Sequence, residues 1–318
     1  MRIFYLCPDF SSPSGGIKRL YTHVEILREN GYDAYIMHSG KGFKLRWFEN
    51  KAPIVYFSDS PRLVPSDTIV IPEGFSPVMK QLKPLPIKKV VIALSLRGIF
   101  GSMPLGESWK DYGVDWIMTN TKTVGDFIQW SMGIENVHII ASSIDPDIFH
   151  YNPDTKTQQV AYIKRKDTLS PTVEKILKSR DVSYHELDFI AIENLKLQDY
   201  AQVLRKSKIY LTTSISEAFP RSIVEAMACG CLCIGFDAVG GKNFIVESGD
   251  RQNFVLAESM NFIDLSQKLA ELLEKDKRKD PAVDAIRQNA LTTAASFSSD
   301  LEKKTLLEFW KTFFEAES

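Results

Sequence analysis

The chain has 318 residues, of which 44% are apolar and 25% are charged, and its formal net charge is −1. This length is typical of two domains, and the composition predicts a soluble globular protein with two sizeable cores. The near-neutral charge argues against nucleic acid as a partner. No apolar run approaches the roughly 20 residues that span a bilayer.

The N-terminal stretch "MRIFYLCPDF" (1–10) is apolar only briefly before it reaches Pro8 and Asp9. A signal peptide needs a longer apolar core and a cleavage site made of small residues. We therefore interpret this stretch as a first β-strand and expect a cytoplasmic protein. Contact with the inner face of the membrane stays open, although the chain shows no strong basic amphipathic helix that would support it.

Short apolar runs alternate with helical stretches through the first half of the chain. The predicted strands lie at 2–6, 33–38, 68–72, 89–95, 115–120 and 137–141. Helices are predicted at 17–30 and 121–132, each followed by a glycine (Gly31 and Gly133) that can take the left-handed conformation. Strands rich in β-branched residues that alternate with helices indicate a parallel sheet covered on both faces.

The same pattern restarts after "SSIDPDIFHYNPDTKT" (142–157), a stretch rich in Pro, Asp and Ser. Further strands are predicted at 159–163, 208–214 and 231–236. Ser170 is the expected N-cap of a helix and Pro171 its first residue. The sequence therefore predicts two similar α/β domains with a boundary near residue 152.

We place the domains at 1–152 and 153–297. The remaining segment, 298–318, opens with polar residues and has apolar residues at 306, 309, 310 and 313. That spacing is typical of one face of an amphipathic helix. This helix has to pack on one of the two domains.

Three of the four cysteines (Cys229, Cys231 and Cys233) lie in "ACGCLCIGF" (228–236), and the fourth is Cys7. Alternate residues of a strand point to the same face, so Cys231 and Cys233 are placed to share a metal. No second pair of Cys or His follows at metal-site spacing. We favour a buried strand in which cysteine serves as a small apolar residue.

The segment "SEAFPRSIVEAMACG" (216–230) places Glu217 and Glu225 eight positions apart. Pro220 is predicted to be the first residue of a helix that ends at Gly230. Glu217 then lies in the loop that follows the strand 208–214, and Glu225 lies inside the helix. Ligands of open α/β sheets bind at the carboxyl ends of the strands, where both glutamates are expected.

This arrangement suits a phosphorylated sugar. The helix N-terminus offers free N–H groups and a positive partial charge to a phosphate. A carboxylate accepts two hydrogen bonds at once, which suits the paired hydroxyls of a ribose or a hexose. The residues alone leave a structural alternative open, because Arg221 and Glu225 also form an i, i+4 pair typical of a solvated helix face. In that alternative, Glu217 is a loop acid near a helix N-terminus.

Glu217 and Glu225, with Phe219-Pro220 after the first and "EAMACG" (225–230) after the second, resemble the E-x7-E motif of retaining glycosyltransferase family 4. Weaker likenesses lie at 13–37, 137–153 and 238–245. The resemblance implies the GT-B fold, in which two Rossmann-like, doubly wound domains face each other across a cleft. It also implies that the final helix crosses back to the N-terminal domain, on the acceptor side, while the C-terminal domain binds the donor.

The resemblance further implies roles for single residues. Glu225 is expected to bind the ribose of a nucleotide-sugar donor, and Glu217 to lie at the donor sugar as a catalytic residue. The loop residues expected to contact the donor are Ala218, Phe219, Pro220 and Arg221.

Arg165 and Lys166 are expected, by the same resemblance, to neutralise the leaving diphosphate. The alternative is a solvated charge run. Gly15 and Gly16 are expected to let the N-terminal backbone approach the diphosphate, although a plain turn explains them equally well. Arg97 stands where many family members have a histidine. Arginine cannot act as a base, so we expect it to contact a phosphate or an anionic acceptor.

The predicted function is a metal-independent retaining transfer of a hexose from UDP- or GDP-hexose to a sugar hydroxyl, in polysaccharide or glycolipid synthesis. The nucleotide sugar is a substrate, and no cofactor or metal is expected. "DPD" (145–147) matches a metal-binding D-x-D, but we interpret it as a turn. Two alternatives stay open: a nucleotide-sugar epimerase, and a non-catalytic nucleotide-sugar-binding protein. The sequence does not specify the base, the sugar or the acceptor, because phosphate and ribose are common to every donor.

Overall fold

The computed structural model describes residues 1–164 and 169–317. Its internal contacts divide the chain into two compact units. The N-unit consists of Met1–Ser142 together with Asp300–Ser318, and the C-unit consists of Ser143–Ser299. The predicted boundary at residue 152 lies inside the C-unit, because Ile144 and Phe149 are buried in the C-unit core.

The N-unit is built on a parallel sheet, and its described residues form seven strands in the order β3-β2-β1-β4-β5-β6-β7. The strands are β1 (Ile3–Leu6), β2 (Ala34–His38), β3 (Ile54–Tyr56), β4 (Thr68–Pro72), β5 (Lys88–Ala93), β6 (Trp116–Thr119) and β7 (Asn136–Ile139). Every pairing between neighbours is parallel. The sequence missed β3, whose three residues are only half-buried.

Four helices accompany this sheet in residues 1–142: α1 (Gly15–Glu29), α2 (Ser76–Leu82), α3 (Leu96–Gly101) and α4 (Lys122–Met132). The start of α1 is fixed by Ser14, whose hydroxyl accepts a hydrogen bond from the N–H of Ile17. The helix therefore begins two residues before the predicted position. Gly133 ends α4 in the left-handed conformation, as predicted.

The C-unit has a second parallel sheet, with the described strands in the order β12-β11-β10-β8-β9. They are β8 (Thr157–Ile163), β9 (Asp188–Ile192), β10 (Ser207–Thr212), β11 (Leu232–Gly235) and β12 (Val255–Leu256). The helices are α5 (Ser170–Arg180), α6 (Leu197–Lys206), α7 (Arg221–Ala228), α8 (Ala238–Gly241), α9 (Phe262–Lys277) and α10 (Pro281–Ala295). Leu169 takes the N-cap position of α5, so Ser170 is helical and the predicted cap lies one residue too late.

The last helix, α11 (Ser299–Ala316), packs on the N-unit. Its apolar face joins the core around β1 and α1 through Leu306, Phe309, Trp310 and Phe313. The indole N–H of Trp310 lies 3.3 Å from the Tyr5 hydroxyl. The predicted return of the final helix to the first domain is confirmed.

All four cysteines are buried and free. Cys231 Sγ lies 3.2 Å from the carbonyl oxygens of Leu204 and Ser207, and burial raises its thiol pKa. These cysteines fill the core as the sequence suggested. Across residues 1–164 and 169–317, no three His, Cys, Asp or Glu side chains are grouped in a way that would hold a metal ion. In the same ranges, no helix has both the length and the apolar character needed to cross a bilayer.

Candidate functional site

The two glutamates of the motif lie at the carboxyl end of β10. Glu217 is half-buried in the loop between β10 and α7, and Glu225 lies on the second turn of α7. Pro220, with φ −75° and ψ 71°, is the N-cap of α7 and not its first helical residue. Its ψ is outside the helical range, while its carbonyl already accepts from the N–H of Ile223. The helix therefore starts one residue later than predicted.

Glu225 is buried, with 6% of its surface exposed. Its Oε1 accepts a hydrogen bond from Arg221 Nε at 2.9 Å, and its Oε2 accepts one from the Tyr200 hydroxyl at 2.8 Å. The i, i+4 pair that the structural alternative requires is present, but it does not lie on a solvated face. Each carboxylate oxygen can accept a second hydrogen bond, so the group retains capacity for a diol.

Tyr200, on α6, was not foreseen from the sequence. Burial, reinforced by the charge of Glu225, raises its pKa well above the ordinary value. The hydroxyl is therefore a permanent donor that fixes the orientation of the Glu225 carboxylate. Its ring packs edge-on against Phe149. Tyr200 and Glu225 are 25 positions apart, and no local sequence pattern indicates that they meet.

Replacing Tyr200 with phenylalanine is expected to lower the free energy of unfolding by about 1.5–3 kcal/mol, the usual worth of a hydrogen bond to a charged group. Denaturant unfolding measures this change. The matched control is Tyr184→Phe, which removes another tyrosine–glutamate hydrogen bond of the C-unit, to Glu274. Only the Tyr200 variant should also weaken a ligand that binds at Glu225, and equal ligand responses in the two variants would contradict the assignment.

The loop that carries Glu217 rests on α8. The N–H of Gly240 donates to the Glu217 carbonyl oxygen at 2.9 Å. A Cβ atom on Gly240 would lie 1.6 Å from the Ala218 carbonyl oxygen, and one on Gly241 would lie 3.5 Å from Pro220 Cγ. Gly240 therefore allows two backbone segments to approach each other closely. This contact sets the position of Glu217.

Phe219 anchors the same loop. Its ring lies 5.4 Å from that of Phe297 and 5.8 Å from that of Phe244, while Phe244 and Phe297 are 5.6 Å apart. The three rings form a partly buried cluster that packs against the C-unit core. The side chain of Phe219 therefore contributes packing, and the backbone of the loop is the part that remains for a ligand.

The other predicted site residues do not belong to the described part of the C-unit. Arg165 and Lys166 lie outside the described residues. Gly15 and Gly16 belong to the N-unit, where they open α1 and do not form a loop. A Cβ atom on Gly16 would meet nothing closer than 3.8 Å, so packing inside the N-unit does not require glycine there. Arg97 is exposed on α3.

Residues 185–290 match the family model of glycosyl transferases group 1. This range lies inside the C-unit and includes both glutamates, Tyr200 and Gly240. Over this range the C-unit is similar to group 1 glycosyltransferases. The matched range ends before α11.

Two curated proteins are similar to this chain. An α-1,6-glucosyltransferase of Actinobacillus pleuropneumoniae is 23% identical over 243 residues, which cover 73% of this chain and 72% of that protein. The GtfA subunit of a UDP-N-acetylglucosamine–peptide N-acetylglucosaminyltransferase of Streptococcus pneumoniae is 24% identical over 143 residues, which cover 43% of this chain. This second match spans only about a quarter of the GtfA subunit, 26% of its length.

Solved structures share the fold over almost the whole chain. Sucrose-phosphate synthase from Thermosynechococcus elongatus superposes with a TM-score of 0.77 at 12% identity, covering 99% of both chains. Anabaena HepE in complex with UDP-glucose superposes with a TM-score of 0.66 at 14% identity. This match covers 98% of this chain and 100% of the HepE chain. The two parallel α/β units therefore have the GT-B fold, as predicted.

Proposed function

We propose that the chain is a metal-independent retaining hexosyltransferase that uses a nucleoside diphosphate hexose as its donor. The observation that supports this most directly is the buried Glu225 carboxylate, oriented by Tyr200 and Arg221 at the carboxyl edge of a parallel sheet. A buried carboxylate is costly unless it is well hydrogen-bonded. In the described residues, this one has a dedicated hydroxyl donor and retains free acceptor capacity.

Glu225 would accept hydrogen bonds from the two ribose hydroxyls of the donor. Glu217, in the loop between β10 and α7, would contact the hexose hydroxyls. The N-terminal end of α7 carries a positive partial charge, which suits the diphosphate between ribose and hexose. Arg165 and Lys166 are proposed to bind the same diphosphate and to stabilise its charge as it leaves.

The proposed reaction retains the configuration of the hexose. The acceptor hydroxyl attacks the anomeric carbon on the face from which the diphosphate departs. The C–O bond to the diphosphate breaks, and a diphosphate oxygen takes the acceptor proton. No protein base is then required, which agrees with the presence of Arg97 where the family often has histidine. Stabilisation of the leaving group falls to the cationic side chains and the loop N–H groups.

UDP-glucose is the donor we propose to test first. One relative is named an α-1,6-glucosyltransferase, and HepE was solved with UDP-glucose. GDP-hexoses remain the second choice. The proposed acceptor is a sugar hydroxyl of a saccharide or a lipid-linked saccharide, with Arg97 available for an anionic group. A cytoplasmic location, at the inner face of the membrane for a lipid-linked acceptor, is part of this proposal.

The test is thermal unfolding of the purified protein with UDP, GDP or ADP, and with their glucose and mannose derivatives, without added metal. A ligand at one hundred times its Kd adds about 2.7 kcal/mol to the free energy of unfolding. A rise in Tm with uridine ligands alone supports the proposed donor. If none of the nucleotides raises the Tm, the proposal is overturned.

A second candidate is a protein that binds the nucleotide sugar without consuming it, which the exposed Arg97 favours because arginine cannot act as a base. Incubation with UDP-glucose and a mixture of saccharides separates the two. Release of UDP that depends on a saccharide supports transfer. Binding without turnover supports the second candidate, and a new nucleotide sugar formed without any saccharide would indicate an epimerase.

A further inference from the structure

Glu73 is a buried carboxyl group that the proposed mechanism does not use. It follows β4 directly, and its N–H donates to the carbonyl oxygen of Ile92 in β5. Only 8% of the residue is exposed. Glu73 therefore lies at the carboxyl edge of the N-unit sheet, where open α/β sheets bind ligands.

The carboxyl group of Glu73 supports the segment 94–98, which joins β5 to α3. The backbone N–H groups of Leu94 and Ser95 donate hydrogen bonds to it. A Cβ atom on Gly98 would lie 2.6 Å from Glu73 Cγ and 3.1 Å from its Oε1. The side chain thus contacts both ends of the segment, and Arg97 lies between them.

No charged partner compensates for the burial of Glu73 among the described residues. β4 contains no charged residue, α3 contains only the exposed Arg97, and Lys88 and Lys89 lie at the opposite end of β5. Burial raises the pKa of Glu73 from 4.5 to about 7, against the opposing effect of the N–H bonds.

A raised carboxyl pKa means that the fold favours the protonated form. The stability that protonation provides is complete below pH 4.5 and is lost as the pH rises through about 7. Above that pH, the fold holds an unpaired, buried carboxylate at a cost. A residue that lowers the stability of the fold, and that lies at the edge of a sheet where ligands bind, is a candidate for a role in binding.

We propose that Glu73 is a positioning residue that holds the segment 94–98 so that Arg97 binds a phosphate group of the acceptor. This inference rests on the proposed function, in which the donor diphosphate is bound by the C-unit. Arg97 is well suited to the task, because its planar guanidinium makes paired hydrogen bonds to phosphate oxygens. Glu73 acts by hydrogen-bonding the backbone on one side of Arg97 and packing against Gly98 on the other.

Glu73→Gln separates this role from a purely structural one. Glutamine keeps the size of the side chain but removes the buried charge, and it leaves a single, uncharged acceptor oxygen for the two N–H groups. We expect the variant to have a higher Tm than the parent protein at pH 8, with the difference disappearing near pH 5. Hydrogen exchange of the amides in 94–98 should nevertheless become faster. Glu135→Gln, the same change at an exposed position of the N-unit, should alter neither quantity.

The binding role is tested with inorganic phosphate, added to protein already saturated with UDP so that the donor site is occupied. Phosphate should raise the Tm of the parent protein further. Glu73→Gln, Arg97→Gln and Gly98→Ala should each require at least roughly tenfold more phosphate, equivalent to about 1.4 kcal/mol. Gly98→Ala displaces the same segment by steric overlap with the Glu73 side chain, without removing its carboxyl group.

A lower Tm of Glu73→Gln at pH 8 would overturn the inference, because the carboxylate would then stabilise the fold. The absence of a phosphate effect in the parent protein, or an equal effect in all variants, would also overturn it. Failure of the proposed function is seen separately, as the absence of a response to UDP. In that case, hydrogen exchange, the pH dependence of Tm and the phosphate titration still test the positioning role of Glu73.

Discussion

The Glu225→Gln variant is expected to lose most of the stabilisation that a nucleoside diphosphate gives to the parent protein. Glutamine has the size of glutamate but replaces one acceptor oxygen with a donor NH₂ group. Tyr200 and Arg221 both donate to the native carboxylate, so one of them must then face another donor. The group that remains can no longer accept two hydrogen bonds from a ribose diol.

We expect the affinity for UDP to fall by about 10- to 100-fold, corresponding to about 1.4–2.7 kcal/mol. The measurement is the UDP concentration that gives half of the maximal rise in Tm. The unliganded variant should also lose about 1–3 kcal/mol of its free energy of unfolding, because a buried donor is left unpaired. Glu186→Gln, an exposed change in the same unit, is the matched control. An unchanged affinity for UDP in Glu225→Gln would remove Glu225 from the proposed donor site.

Gly240→Ala is expected to abolish transfer while the N-unit stays folded. The added Cβ would lie 1.6 Å from the carbonyl oxygen of Ala218, so the loop carrying Glu217 and the helix α8 must separate by more than 1 Å. Gly240 does not have a positive φ, so the effect comes from steric overlap alone. Misplacement of a reacting group by about 1 Å can lower a rate by about 100-fold, and we expect a loss of at least that size.

The measurement is the rate of UDP release from UDP-glucose with a saccharide acceptor, alongside the unfolding curve. Gly249→Ala is the matched control in the same unit, because a Cβ there meets nothing within 4 Å. Its φ of +78° predicts a strain of about 1–2 kcal/mol, with no effect on transfer. Equal activity of the two variants would show that the contact between Gly240 and the Glu217 loop does not position the site.

The sequence predicted several strongly patterned elements, but it did not place the 16-residue α9 or the 15-residue α10. The alternation of β-branched strands with helices indicated both parallel sheets, and the apolar spacing of 306–313 identified the helix that completes the N-unit. The strands β3, β9 and β12 were missed. β3 and β12 have only three and two residues and are half-buried, and β9 has a single buried residue, so none shows a clear period. Helix starts at Gly15 and Ser170 were displaced by one or two residues, because a cap depends on local hydrogen bonds.

The candidate site was only partly visible in the sequence. The spacing of Glu217 and Glu225 placed both near the carboxyl end of β10, as the structure shows. The sequence could not show that Glu225 is buried, because its burial depends on α6, which brings Tyr200 against it from 25 residues away. Nor could the sequence show that position 240 requires glycine, because this requirement comes from the close contact with the Ala218 backbone. Glu73 carries no local signal, because only the fold places it beneath the segment 94–98.

The return of α11 to the N-unit has a consequence for the order in which the protein can be made. A ribosome delivers β1 to β7 first, then the whole C-unit, and only at the end the residues that cover Trp116 and Tyr5. Domains generally fold as units while they emerge. Here the first unit to emerge must be the last to complete its core. Nascent N-units would therefore expose an aromatic surface throughout synthesis of the C-unit.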